Sequence, residues 1–458
     1  MREALRLASE RIISHIESLP RQPAVEEEGG PELARSLRER LPEQGAALEG
    51  LLDLVFDRVV PKSFNSAGPG YLAYIPGGGL FQSALADLVA GAVNRYVSVF
   101  AAAPGLAQLE ANVVRWFCEI AGYPEGAGGF LTTGGSLANF TAVVTARSEL
   151  LPEDFLRGTI YASDQAHHSV QKAVHLAGFP SGSVRIIPTD RDFRMDVGRL
   201  REEIRKDRVG GCLPFLIVGN GGTTNTGAVD DLSALADLAA EERLWLHVDA
   251  AYGGFFLLTE QGKRVLAGIG RAHSITLDPH KGLFLPYGTG SLIVREGAAL
   301  KRTHAVKADY MPRFQEEAEF VDFCEISPEL SRDFRGLRVW LPIKMHGIGA
   351  FRAALEEKLD LTHLALDTLR AMDGIEILAE PQLSILAFRL VRPGLGAPEL
   401  DDLNRRFLGA INAKKRVFLT GTLLGGRFAI RICVLSFRTH RDRVLAGLED
   451  IRTAAVTL

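Results

Sequence analysis

Short β-branched, apolar runs alternate with stretches of helical periodicity through the middle of this 458-residue chain. Thr159–Ala162, Val184–Pro188, Phe215–Val218, Trp245–Val248, Ser274–Leu277 and Ser291–Val294 read as strands. Between them, Ser169–Leu176, Val197–Lys206 and Leu232–Glu241 read as helices. That alternation predicts an α/β fold, a mainly parallel sheet with helices on both faces. From about Gly347 the order changes to a long helix, strands near Ile375–Leu378 and Ile385–Leu390, a helix, a further strand pair and a closing helix. This predicts a smaller α+β domain. The first sixty residues lack strands and read as helices separated by the acidic break Glu26–Glu32, an arm packed on something else. The expected division is an arm over 1–60, a large domain over 61–346 and a small one over 347–458.

Composition narrows the function. Lys plus Arg is 52 and Asp plus Glu is 56, a net charge of −4. Such a balance gives no strong pull toward nucleic acid or an anionic membrane surface. The N-terminus is charged and amphipathic, without the apolar core of a signal peptide, and no run of about 18 apolar residues occurs. Cys118, Cys212, Cys324 and Cys433 lie far apart, with neither zinc-ligand nor redox-pair spacing. They read as reduced thiols, and the protein as a cytoplasmic one without a metal site. Glycine is abundant, 47 residues, which predicts tight turns or backbone brought close to a ligand.

The chemistry concentrates at predicted strand ends. In SITLDPHKG (Ser274–Gly282) an apolar strand runs into Lys281, where desolvation should depress the pKa and free the amine as a nucleophile. In LWLHVDAAYGG (Leu244–Gly254) Asp249 closes another apolar strand; an N-cap or an ion pair is the plainer alternative there. A lysine and an aspartate at neighbouring strand ends are what pyridoxal phosphate requires, one for the Schiff base and one for the pyridine nitrogen. A Gly-Gly-Ser turn at Gly134–Ser136 enters a helix and suits a phosphate, or leaves Ser136 as an ordinary N-cap. In YASDQAHHSVQKA, His167 is placed to stack on a flat ring and His168 to lie on the surface. Thr224, in GNGGTTNTG, ends a further strand among small polar residues and can hydrogen-bond the site.

These motifs resemble the pyridoxal-phosphate-dependent group II decarboxylases, most closely the aromatic-L-amino-acid decarboxylase branch. SDQAH, HVDAAYGG, DPHK, PGYLAYIPGGG, FAAAPGLAQLE, RFAIRICVLSFRT and the block Phe334–Ile348 carry the likeness, in order along the chain. The resemblance implies the fold-type-I architecture of the aspartate aminotransferase class and a homodimer with active sites at the subunit interface. It implies that Gly135 and Ser136 bind the phosphate, with His280 its neighbour. His167 stacks on the ring, Thr224 supports the site, Asp249 and Ala251 lie against the pyridine nitrogen and ring, and Lys281 carries the cofactor. Substrate-pocket residues would be Tyr71 and Leu72, Ser98 and Phe100, and Ser331, the first two pairs lying in segments given by the partner chain. Ser331 points to phenolic over indolic substrates, or is a helix N-cap. Tyr310, in the polar aromatic stretch Lys307–Glu319 that reads as a lid, would return the proton to Cα.

The implied reaction is decarboxylation of an L-amino acid, an aromatic one by closeness to that branch, to the amine and CO2. The rivals are a glutamate or aspartate decarboxylase of the same family, a fold-type-I aminotransferase or lyase using Arg431 as a carboxylate clamp, and a catalytically silent scaffold. Intact Lys281, Asp249 and His167 speak against the scaffold. Two residues depart from the branch. Asp278 replaces the usual Asn, an anion that must point away from a phosphate or be held by a cation. Gly282 replaces a bulky Trp, which is expected to loosen the pocket.

Overall fold

The computed structural model describes residues 1–306, 317 and 319–458. They divide into two compact units, Gly77–Leu359 with Ala379–Ile385, and Met1–Pro76 with Asp360–Leu378 and Leu386–Leu458.

The first unit is built on seven strands: β1 (Gly128–Thr132), β2 (Gly158–Ser163), β3 (Val184–Ile187), β4 (Leu213–Asn220), β5 (Trp245–Asp249), β6 (Ser274–Leu277) and β7 (Gly290–Val294). Their order in the sheet is β1-β7-β6-β5-β4-β2-β3. The pairs β2–β3, β2–β4, β4–β5 and β5–β6 are parallel, while β7 runs antiparallel to both β6 and β1. The sheet is thus mainly parallel, as the alternation predicts. Between β6 and β7 the one helix is the single turn Pro279–Gly282, and the chain returns antiparallel beside β6. β1 is absent from the sequence expectation.

Central strands are buried along almost their whole length, because helices cover both sides. Val218 packs in the core that includes Ala138, Ala142 and Ala146 of the helix Gly135–Leu150. The next residue, Gly219, faces Leu232 and Leu235 of the helix Leu232–Glu242. Successive residues of a strand serve opposite layers. The small residues along Gly135–Leu150 let that helix lie close on the sheet, so its first turn meets the carboxyl ends of β5 and β6.

The other unit contains the helix Arg2–Ser18 and a four-stranded sheet of β8 (Ile375–Ala379), β9 (Ile385–Leu390), β10 (Thr420–Leu424) and β11 (Arg427–Cys433), in the order β10-β11-β9-β8. The β10–β11 hairpin turns through Gly425 and Gly426, both at positive φ (54° and 76°), the requirement of a two-residue turn of this hand. Gly347, with φ 71° and ψ 153°, kinks the helical stretch Gly336–Arg370. No helix among the described residues is long and apolar enough to cross a membrane. All four cysteines are free; Cys118 and Cys433 are buried, and Cys212 and Cys324 half-buried.

Candidate active site

Parallel register decides which residues meet. Asn220 of β4 lies level with Asp249 of β5, and Asp249 with Thr276 of β6, so three strand ends open on one cavity of about 270 Å3. Its wall includes Gly134, Gly135, Ser136, His167, Thr224, Asp249, Ala251, Asp278, His280 and Lys281. Eight residues singled out from the sequence as cofactor-contacting therefore share one cavity.

Asp249 is buried, and each carboxylate oxygen is held. Oδ1 accepts from the Ala251 amide at 3.2 Å and Oδ2 from Asn139 Nδ2 at 2.8 Å. His167 ends the loop after β2 and caps the helix His168–Leu176, its Nδ1 lying 2.7 Å from Ser169 Oγ. Burial pushes its pKa below the usual histidine range. His168 is exposed, as expected. His280 donates from Nδ1 to the Thr289 carbonyl at 2.6 Å, and burial lowers its pKa also. The helix Gly135–Leu150 is capped by Gly134, so Ser136 sits inside the first turn and is not the N-cap.

Lys281 corrects the sequence expectation. Burial lowers the pKa of its amine, but the Asp278 and Asp249 carboxylates outweigh burial and hold it above the ordinary lysine range. Nζ lies 3.0 Å from Asp278 Oδ2. The Asp278 anion is thus held by a cation, the second of the two arrangements that make it tolerable. Replacing Asp278 by Asn removes the largest of the raising charges. The amine should then lose its proton at lower pH, and cofactor-free Asp278→Asn should capture pyridoxal phosphate faster than wild type at neutral pH, measured by absorbance after mixing. An unchanged rate–pH profile would contradict this.

Gly282 also departs from expectation. A Cβ on it would stand 2.7 Å from Phe255 Cβ, and Phe255 is itself fully buried against Phe117. The space that a larger side chain leaves is filled by phenylalanine, so the cavity is not loosened there.

Five expected site residues lie off the cavity wall. Tyr71 and Leu72 belong to the unit with the small sheet, where Tyr71 packs with Phe64 and Phe418, and Leu72 joins the sheet's core. Ser98 is buried and Phe100 stacks on Phe320 at 4.2 Å, in the larger unit. Ser331 is exposed and stands five residues before the helix at Gly336, so it caps nothing. Arg431 is buried in β11. Tyr310 lies outside the described residues.

The profile of the pyridoxal-dependent decarboxylase conserved domain matches residues 31–391. The chain belongs to that family. It is 34% identical over 457 residues to an aromatic-L-amino-acid decarboxylase of Bacillus atrophaeus, covering 99% of this chain and 95% of the relative. It is 30% identical over 418 residues to the L-2,4-diaminobutyrate decarboxylase of Rhizobium meliloti, covering 91% and 83%. The crystal structure of Oryza sativa TDC with PLP and tryptamine superposes with a TM-score of 0.95 at 26% identity, over 100% of this chain and 97% of that one. The architecture is that of the fold-type-I decarboxylases, and this member is a pyridoxal-phosphate-dependent amino-acid decarboxylase.

The cavity residues fit that cofactor. A Cβ on Gly135 would lie 3.1 Å from Asp278 Oδ2 and 3.3 Å from Ala251 Cβ, so glycine eases the close approach of the positive end of a 16-residue helix to the strand ends. A phosphate, an aldehyde and a basic ring nitrogen need a helix N-terminus, an amine and a carboxylate. The helix from Gly135, Lys281 and Asp249 supply them. The sequence reading missed Asn139, Ser169, His247 and Thr276, which form a buried polar cluster behind Asp249. A signal for part of it exists: Trp245, His247 and Asp249 alternate onto one face of β5, an unusual polar pair in an apolar strand.

Proposed function

We propose that this decarboxylase acts on an aromatic L-amino acid, releasing CO2 and the corresponding amine, and that it works as a homodimer. The observation that carries the reading is the convergence of Lys281, Asp249 and His167 on one cavity, in a chain similar over nearly its whole length to an aromatic-L-amino-acid decarboxylase. Bound pyridoxal phosphate supplies the conjugated ring that accepts the electron pair of the breaking Cα–carboxylate bond. Lys281 anchors its aldehyde carbon, and Asp249 keeps a proton on the ring nitrogen. The first-turn amides of Gly135 and Ser136, with His280 alongside, hold the phosphate. His167 would stack on the ring, Ala251 would pack against it, and Thr224 would hydrogen-bond at its edge. Tyr310 returns the proton to Cα.

The helix Phe81–Val93 supports the dimer. Phe81, Leu85, Leu88 and Val89 lie on one stripe of it and are exposed, an apolar face that a second copy would cover. The tests are two. Purified protein should release CO2 from phenylalanine, tyrosine, dihydroxyphenylalanine or tryptophan well above L-2,4-diaminobutyrate, glutamate or aspartate. Sedimentation equilibrium should give twice the 49.8 kDa chain mass. An aliphatic preference would overturn the aromatic assignment, and a single-chain mass the dimer.

A further inference from the structure

Behind Asp249 the buried polar groups form one chain whose direction is fixed by the carboxylate. At one end the Trp245 indole can only donate, and its Nε1 lies 2.8 Å from Ser274 Oγ. Ser274 Oγ accepts from the indole and lies 2.8 Å from His247 Nδ1, a contact in which the hydroxyl can either donate or accept. Burial pushes the His247 pKa down to about 4, so the ring is neutral and carries a single N–H. Nε2 lies 3.0 Å from Asn139 Oδ1, which also accepts from Thr276 Oγ1 at 2.7 Å.

At the other end the Asp249 carboxylate can only accept. Asn139 Nδ2 faces its Oδ2 at 2.8 Å and Ser169 Oγ at 2.9 Å. Turning the Asn139 amide over would set its oxygen against a carboxylate. With Asn139 Oδ1 turned toward His247, Nε2 carries the ring proton and the bare Nδ1 accepts from Ser274 Oγ. Ser169, having accepted from Asn139, passes its hydrogen to His167 Nδ1 at 2.7 Å, where the Ser169 amide also donates at 3.3 Å. His167 is left with its proton on Nε2.

We propose that Asn139 is a positioning residue: its one permitted amide orientation ties the Asp249 carboxylate and the His167 ring into a single hydrogen-bond chain that begins at Trp245. Asn139 acts through Asp249 and Ser169, the first reaching the cofactor's ring nitrogen and the second setting the tautomer of the histidine on the ring. The inference rests on the cofactor pose given under the proposed function. Its novelty is the coupling: two residues assigned to different parts of the cofactor share one buried hub, contributed by the Ala-rich helix Gly135–Leu150.

The test uses the holoenzyme labelled with 15N-histidine, with the His167 and His247 ring resonances assigned by subtraction in single variants. In wild type both rings should show a bare Nδ1 and a protonated Nε2. Asn139→Leu, similar in shape and without donors, should shift the His167 Nδ1 resonance. It should also lower kcat by roughly 10- to 100-fold, the scale of a lost hydrogen bond to a buried charge, with KM within about threefold and cofactor still bound. A proton on Nδ1 of either ring in wild type, or an Asn139→Leu enzyme with unchanged kcat and His167 resonance, would overturn the proposal. If Asn139→Leu does not fold, Ser169→Ala decides, since it cuts the chain between Asn139 and His167 and leaves the Asn139–Asp249 bond in place. The His167 resonance should then move while that of His247 stays, and an unmoved His167 overturns the proposal. Absence of CO2 release by wild type would instead count against the proposed function, and leaves the resonance test to judge the chain by itself.

Discussion

Replacing Lys281 by alanine is expected to take CO2 release below detection and to remove the visible absorbance of the bound cofactor. Lys281 is the one amine among the described residues that lines the cavity. The same substitution has a structural cost that the sequence does not foretell. Asp278 is buried, one of its oxygens has no hydrogen-bond partner among the described residues, and the other is held by the Lys281 ammonium. Removing the cation leaves that buried carboxylate without its ion-pair partner, a loss of about 3 kcal/mol. The melting temperature of cofactor-free Lys281→Ala should therefore fall, and adding Asp278→Asn should restore most of it without restoring activity. A Lys281→Ala protein that melts like wild type would show that the Lys281–Asp278 pair carries little of the fold.

Asp249→Ala should lower turnover by roughly two to three orders of magnitude, the scale of a single preorganised electrostatic partner at a site of developing charge. Without the carboxylate the ring nitrogen loses the group that keeps it protonated, and the Asn139 NH2 loses its acceptor. Cofactor affinity should drop as well. Steady-state kinetics at saturating pyridoxal phosphate separates the two effects, and turnover within about tenfold of wild type would remove Asp249 from its assigned role.

Much of the site is legible in sequence because parallel α/β sheets deliver their chemistry at strand ends. Asp249 and Lys281 each follow a run that reads as a buried strand, and neighbouring strands bring them together. What escapes is whatever depends on tertiary neighbours. β1 escapes because Gly128–Thr132 opens with two glycines and runs into a Gly-rich turn, so local propensity favours a loop, whereas pairing with β7 makes it a strand. The sign of the Lys281 shift escapes because burial alone argues downward; Asp278, only three residues away, turns back onto the amine through the one-turn helix. Filling of the Gly282 position by Phe255 joins residues 27 apart in sequence. The cluster of Asn139, Ser169, His247 and Thr276 draws on two helices and two strands, and no local pattern links them.

The account turns on Lys281 being the residue that carries pyridoxal phosphate in the cavity beside Asp249. Borohydride reduction of the holoenzyme followed by peptide mass mapping tests this most directly. The account predicts a phosphopyridoxyl group on the peptide containing Asp278–Lys281, at Lys281 alone. A label on any other lysine, or none on this peptide in enzyme that still releases CO2, would contradict it.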